Sequence, residues 1–206
     1  MWDAISVVCD LMIAFAGLLF TVREFSERKK EKNKVEEEKQ VIADLVGNLN
    51  KAGVASNALK KALARMSEAA ELETTDAGKK VNIIIEGTSD AIESSRSLIE
   101  ATQSLYSELL QNESRFSLSY GFERMIGACR KICFTFSPKV DLLENLHSIL
   151  VKRSKEIITS GGTFTKQNAV EFGEYTAGIY KIERELLQDL KDFMPYLEEM
   201  KLKYNV

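Results

Sequence analysis

Residues 1–22 read MWDAISVVCDLMIAFAGLLFTV, and this stretch decides the predicted architecture. From Ala4 to Val22 the only charged side chain is Asp10. A helix rises about 1.5 Å per residue, so a helix of this length roughly matches the ~30 Å hydrocarbon core of a bilayer. We therefore predict a transmembrane helix over residues 1–22. On insertion scales a charge in such a helix costs about 2.5 to 3.5 kcal/mol, which makes Asp10 a candidate functional residue that faces protein or water.

The small and polar residues of this stretch recur at steps of three and four, which places them on one side of a helix. They are Asp3, Ser6, Asp10, Ala14, Gly17 and Thr21. Bulky apolar residues such as Leu11, Phe15 and Leu18 occupy most of the opposite side. A ring of identical helices can turn the small, acidic side inward and the bulky side toward lipid. The pattern thus predicts a homo-oligomer in which these six residues line a pore, and acidic rings favour cations.

Three other interpretations of the stretch stay open. A cleaved secretory signal normally has a basic start, and this one has Asp3, although Ala14-Phe15-Ala16 is a tolerable cleavage triplet. A plain membrane anchor can use the small residues to dimerise while Asp10 pairs with a partner protein. A buried amphipathic helix of a water-soluble protein is the third.

The composition favours long helices over strands. The 206 residues include only two prolines and eleven glycines, and Leu, Ala, Glu and Lys are abundant helix formers. Three cysteines without framework spacing suggest a reducing compartment. Residues 23–34 contain six basic and three acidic side chains, so the positive-inside rule places the C-terminal part in the cytoplasm and the N-terminus outside. The predicted location is the inner (cytoplasmic) membrane, crossed once.

We expect an all-α fold in which the transmembrane helix continues into a cytoplasmic helical bundle. Residues 23–52 form a charged juxtamembrane helix whose basic half lies against lipid headgroups or is simply solvated, and residues 53–206 form a helical domain. Apolar periodicity predicts a helix ending near Gly53, another over 54–72 with Val54 and Ala58 on its apolar face, and a third over about 76–112. Two more begin at Ser137-Pro138 and at Thr163 or Thr165, and Pro195 bends or restarts the last one.

Residues 115–155 differ in charge from the rest of the chain. They contain eight basic and three acidic residues, whereas the whole chain has a net charge of −3. Aromatic residues lie among the charges at Phe116, Tyr120, Phe122, Phe134 and Phe136. Such a mixture suits a single-stranded nucleic acid or nucleotide, whose bases stack and whose phosphates pair with cations, rather than duplex DNA. The candidate ligand-binding residues are Arg124, Arg130, Lys131, Lys152, Arg153 and Lys155; the alternative is aromatics in a core and solvated lysines.

No motif for catalysis is present. The sequence has no Ser/His/Asp order, glycine-rich phosphate loop, HExxH or CxxC motif. Cys129 and Cys133 share a helix face, but the only histidine is His147 and no second cysteine pair completes a tetrahedral metal site. We expect both cysteines in the core, and we expect neither a metal, a cofactor nor enzymatic activity.

Two functions follow from these patterns. The first is a channel with one span per subunit, gated through its cytoplasmic helices by a ligand or partner. The second is a membrane-anchored helical adaptor or scaffold without a pore. The layout resembles the membrane effectors of bacterial antiphage systems, in particular the Hailong type, through Asp3 and Asp10 in the span and the basic residues from Arg124 to Lys155. That resemblance implies an oligomeric channel that causes cell death in antiviral defence and is held shut by a nucleotide oligomer from a partner nucleotidyltransferase.

Overall fold

The computed structural model of the protein describes residues 2–71, 77–113, 122–159 and 165–204. For residues 2–28, and at positions 31, 35, 38, 69–71, 77–79, 166 and 169, the description is confined to the backbone. Helix α1 runs over Trp2–Glu71 and helix α2 over Ala77–Gln111. Helix α3 covers Phe122–Lys131 and passes through a π-helical turn, Ile132–Phe136, into helix α4, Ser137–Thr159. Helix α5 covers Lys166–Lys203. The described residues contain no strand, so the all-α prediction is confirmed.

The chain divides into two compact units, Met1–Asp44 and Leu45–Val206. In the first unit, the described side chains from Lys29 to Asp44 are exposed or, at Val41, half-buried. Gln40 Nε2 donates to Asp44 Oδ1 at 2.9 Å, one turn further along the helix. This part of α1 therefore has the character of a solvated charged helix.

The second unit, which we call the bundle, buries one side of each helix at alternating steps of three and four residues, the repeat of helices packed side by side. In α1 these buried positions are Leu45, Leu49, Ala52, Ser56, Leu59, Leu63 and Met66. In α2 they are Val81, Ile84, Thr88, Ala91, Ser95, Leu98, Thr102, Leu105 and Leu109. In α5 they are Ile179, Glu183, Leu186, Leu190, Phe193, Leu197 and Met200. The large apolar side chains of α3 and α4, including Phe136, complete the core.

Small residues bring α1 and α2 close together. Gly87 lies on α2 where an added Cβ would come to 3.0 Å from Met66 Cγ on α1, so a side chain at that position would require the Met66 side chain to shift. Nearby, Arg65 pairs with Asp90 at 3.3 Å. These contacts fix one end of an antiparallel α1–α2 pair, and the apolar face predicted for α1 packs there.

Helix boundaries differ from the prediction in α1. Helix α1 does not end near Gly53, because Ala52, Gly53 and Ala55 are packed in the bundle core and this burial outweighs the roughly 1 kcal/mol that glycine costs in a helix. The predicted boundary between residues 52 and 53 thus falls within α1, and the separate helix over 54–72 is its continuation. Val54 is 71% exposed, so its assignment to the apolar face was wrong.

Helix α4 begins at Ser137, as predicted, but Ser137 is not an N-cap, because Lys131 and Ser137, which flank the π-helical turn, both keep helical backbone angles. Proline has no N–H to donate, and the wider turn directly before Pro138 shifts the hydrogen-bond register at that point. The start of α5 is as predicted. Thr165 caps it, accepting from the Asn168 N–H at 3.2 Å while its own N–H donates to Asn168 Oδ1 at 2.9 Å. The helix then passes through Pro195 without ending.

Candidate functional site

The predicted pore side is the first candidate. Its residues, Asp3, Ser6, Asp10, Ala14, Gly17 and Thr21, lie outside the side chains that the structure describes. The backbone there belongs to α1, which begins at Trp2 and reaches into the bundle. Within the part of the chain with described side chains, no helix combines the length and the apolar character needed to cross a membrane.

The six predicted ligand-binding cations fall into two groups on the α3–α4 segment. Arg124, Arg130 and Lys131 belong to α3, and Lys152, Arg153 and Lys155 belong to the last turns of α4. Twenty-one residues separate Lys131 from Lys152, which corresponds to about 30 Å along a helix. The structure therefore does not bring all six cations to one site.

Two members of the first group, Arg124 and Lys131, border a groove between α3 and α5 with a volume of about 580 Å³. Arg124 and Lys131 line one side, and Asp189, Asp192 and Tyr196 line the other. Lys131 Nζ lies 2.7 Å from Asp192 Oδ2 and 3.1 Å from Asp189 Oδ1. The hydrogen bond to Asp192 is the main cause that raises the pKa of Lys131. An anion that enters this groove must compete with two carboxylates for the same ammonium group.

Asp189 is the centre of an ion network that ties α3 and α4 to α5. Asp189 is 6% exposed. Besides pairing with Lys131, its carboxylate accepts a hydrogen bond from Lys139 Nζ at 2.5 Å. Lys139 also lies 3.8 Å from Glu185 Oε2. A buried charge is tolerated when it is paired in this way. The network therefore gives Lys131 and Lys139 a structural role.

The second group surrounds the C-terminal turns of α4. Arg153 bridges Glu156 Oε2 at 2.9 Å and Glu171 Oε1 on α5 at 3.0 Å, and the hydrogen bond to Glu156 raises its pKa most. Lys152 and Lys155 are exposed and border a shallow cavity of about 350 Å³ that also contacts His147. Burial lowers the pKa of His147, so this histidine is neutral at physiological pH and adds no positive charge.

Two of the three described aromatic residues in the basic segment belong to the core. Phe122 and Phe136 are buried at 4% and 0% exposure, whereas Phe134 is 64% exposed. Phe116 and Tyr120 lie outside the described residues. Of the described aromatics in this segment, Phe134 alone offers its ring to a base.

Cys129 and Cys133 are buried free thiols, as predicted for core residues. Burial is the first cause that raises the pKa of both, and for Cys133 the value is about 11. The thiol form of both is therefore favoured near neutral pH, which makes both weak nucleophiles. Across the described ranges, no three His, Cys, Asp or Glu side chains come together as a metal site.

Two features escaped the sequence analysis. One is a groove of about 700 Å³ on the outer side of the α1–α2 pair, lined mainly by alanine and serine. The other is Glu183, a carboxylate at a core position of α5 that is 3% exposed and accepts from Ser67 Oγ at 2.6 Å. Ile179, Glu183 and Leu186 follow one another at steps of four and three, and this spacing is the sequence signal that places Glu183 on the buried side of α5.

Comparisons with models of known families, with curated proteins and with solved structures find no match for this chain.

Proposed function

We propose that this chain is a single-span membrane protein that forms a cation-conducting homo-oligomer, with residues 1–22 around a common axis and the bundle as its cytoplasmic gating body. The observation that carries the proposal is the side of small and acidic residues from Asp3 to Thr21, opposite a bulky apolar side. A lone helix surrounded by lipid gains nothing from two carboxylates on one side. The extent of α1 also supports the proposal, since this one helix includes the proposed span and the part of the chain that enters the bundle.

The proposed gate responds to an anionic, nucleotide-type ligand at the α3–α5 groove. Its phosphates compete with Asp189 and Asp192 for Lys131, while Arg124 and Arg130 supply further charge nearby. Charge-assisted bonds to phosphate are as strong as those to carboxylate, so the ligand substitutes for the contacts that hold α3 to α5. The more distant group of Lys152, Arg153 and Lys155 binds a second part of a long ligand or remains solvated. Uncontrolled opening would kill the cell, in keeping with a role in antiphage defence.

The test is the reversal potential of the full chain in planar bilayers under a salt gradient. We expect a cation-selective conductance that loses much of its selectivity in Asp10→Asn, because this change removes the carboxylate ring at the middle of the proposed path and leaves only that of Asp3. Leu18→Ala, on the bulky side of the same helix, is the matched control and should keep the selectivity. Unchanged conductance and selectivity in Asp10→Asn would defeat the proposal.

A helical adaptor is the second candidate function. Phe134, Leu142 and Ile149 recur at steps of eight and seven on the outward side of the α3–α4 segment and are 64%, 52% and 40% exposed. An outward apolar row on a helix suits contact with another protein. If Leu142→Asp abolishes activity while Asp10→Asn leaves it intact, the adaptor replaces the channel.

A further inference from the structure

The outer groove of the α1–α2 pair has walls of opposite charge. On α1 it is lined by Lys51, Val54 and Ala58 among others, and on α2 by Glu93 and Glu100. Within the described part of the chain none of these three charged side chains forms an ion pair. The α1 wall therefore offers an unpaired cation, and the α2 wall offers unpaired carboxylates.

The floor and rim of the groove are suited to another helix. Ala55 and Ala101 form the floor at 8% and 7% exposure, and Ser94, Ser97 and Ser104 lie along the α2 wall. Small side chains allow two helix backbones to approach closely. From Glu93 to Ser104 the groove extends about 16 Å, or three helical turns.

Val54 protrudes from the edge of this groove. It is 71% exposed, whereas its neighbours in the repeat are buried. A protruding valine beside a recess lined by alanine and serine is a knob next to a hole of the kind that packed helices exchange. A second copy of this chain supplies both parts.

The levels of the charges along the two helices agree with this arrangement. Arg65 on α1 pairs with Asp90 on α2, which puts these two residues at the same level along the antiparallel helices. Measured from that level in one direction, Lys51 lies fourteen residues away along α1 and Glu100 lies ten residues away along α2. Both therefore lie near the same end of the groove, on opposite walls. When two bundles face each other with their helices in the same direction, α1 of one copy meets α2 of the other, and Lys51 and Glu100 differ in height by four residues, about 6 Å, which two long side chains can span.

We propose that the α1–α2 groove is the surface through which two bundles of this chain pair, with Val54 of each copy in the groove of the other and Lys51 of each copy paired with Glu100 of the other. This inference rests on the homo-oligomer of the proposed function and names its interface in the bundle. The occupant is a second copy because the face is complementary to itself in charge and in shape.

The experiment measures the oligomer distribution of the detergent-solubilised full chain by multi-angle light scattering over a dilution series. Lys51→Glu and Glu100→Lys each place like charges together, so each should weaken association by about fivefold or more. The double variant K51E/E100K restores the opposite charges and should recover the wild-type distribution. Val54→Asp introduces a charge into the groove and should weaken association by more than about tenfold.

Matched controls come from α5. Lys181→Glu and Val170→Asp make the same kinds of change at exposed positions that do not line the groove and should leave the distribution unchanged. Circular dichroism checks that every variant keeps the wild-type helix content. An unchanged distribution in Val54→Asp and both charge variants overturns the interface, as does a double variant that stays dissociated. If the groove variants have no effect but the wild type is oligomeric and conducts, the proposed function stands without this interface; a monomeric wild type defeats both.

Discussion

Thr102 on α2 allows the sharpest test of how the bundle core is built. Its side chain is completely buried, and among the described residues its hydroxyl has no hydrogen-bond partner. Burying a hydroxyl without a partner costs about 1 to 3 kcal/mol on protein mutational scales. Thr102→Val keeps the shape and replaces the hydroxyl by a methyl group, so we expect the free energy of unfolding to rise by about 1 to 3 kcal/mol.

Thr88 is the matched control for this change. It lies two seven-residue repeats earlier on the same side of α2 and is equally buried, but its Oγ1 donates to the Ile84 carbonyl oxygen at 2.6 Å. Thr88→Val loses that hydrogen bond, worth about 0.5 to 1.5 kcal/mol, and gains about 0.8 kcal/mol from the buried methyl. Its stability should therefore stay within about 1 kcal/mol of wild type.

The assay is urea unfolding of the full chain in detergent, followed by far-ultraviolet circular dichroism, with thermal unfolding as a second measure. For a unit of this size, about 2 to 4 °C of melting temperature corresponds to 1 kcal/mol. Thr102→Val should melt about 2 to 12 °C higher than wild type. A Thr102→Val protein that is less stable than wild type, or as stable as Thr88→Val, would refute the reasoning that this hydroxyl is buried without a partner.

Three further outcomes follow from the bundle. Phe136→Ala removes a completely buried ring and should lower the free energy of unfolding by about 3 to 5 kcal/mol. Phe134→Ala, at an exposed position, should change that free energy by about 0.5 kcal/mol or less. Urea titrations of the two variants measure the difference. Burial raises the pKa of Glu183, so the stability that this carboxyl contributes below its unfolded-state pKa is lost as pH rises through its folded-state pKa. Glu183→Gln should therefore be more stable than wild type at neutral pH and should lose that part of the pH dependence. Equal pH–stability curves for the two proteins would contradict this. Because burial raises the thiol pKa of Cys129 and Cys133, iodoacetamide should label both at least about a hundredfold more slowly in the folded protein than in urea, as mass spectrometry of digested protein can show; rapid labelling of the folded chain would contradict it.

Much of the bundle was predictable because its helices follow the period of their apolar residues. The extent of α2 and the cap at Thr165 depend on local chemistry, namely helix-forming residues and a side chain that bonds the first turn. Gly53 misled the prediction, since local propensity marks it as a break, and Ser137-Pro138 marked a helix start correctly but suggested an N-cap that is not there. At Gly53 packing of the flanking alanines overrides the propensity, and before Pro138 a π-helical turn adapts the hydrogen bonds.

The candidate site was less accessible to sequence reasoning. A count of charges in residues 115–155 does not reveal that Lys131 and Arg153 are bonded to acids of α5, because those acids lie far away in the sequence. It also does not reveal that Lys131 and Lys152 are separated by five to six helical turns. Periodicity placed Val54 in the core because the steps of three and four alone do not decide which of two adjacent positions faces inward. The pore side predicted from Asp3 and Asp10 stays a prediction.

The most direct measurement replaces residues 1–22 with an unrelated membrane span of leucine and alanine and records ion flux from vesicles that contain the full-length protein. The account predicts that the chimaera inserts and folds but conducts no ions, because the acidic side of the first helix is the path. A chimaera that conducts like the wild type, with the same preference for cations, would contradict it.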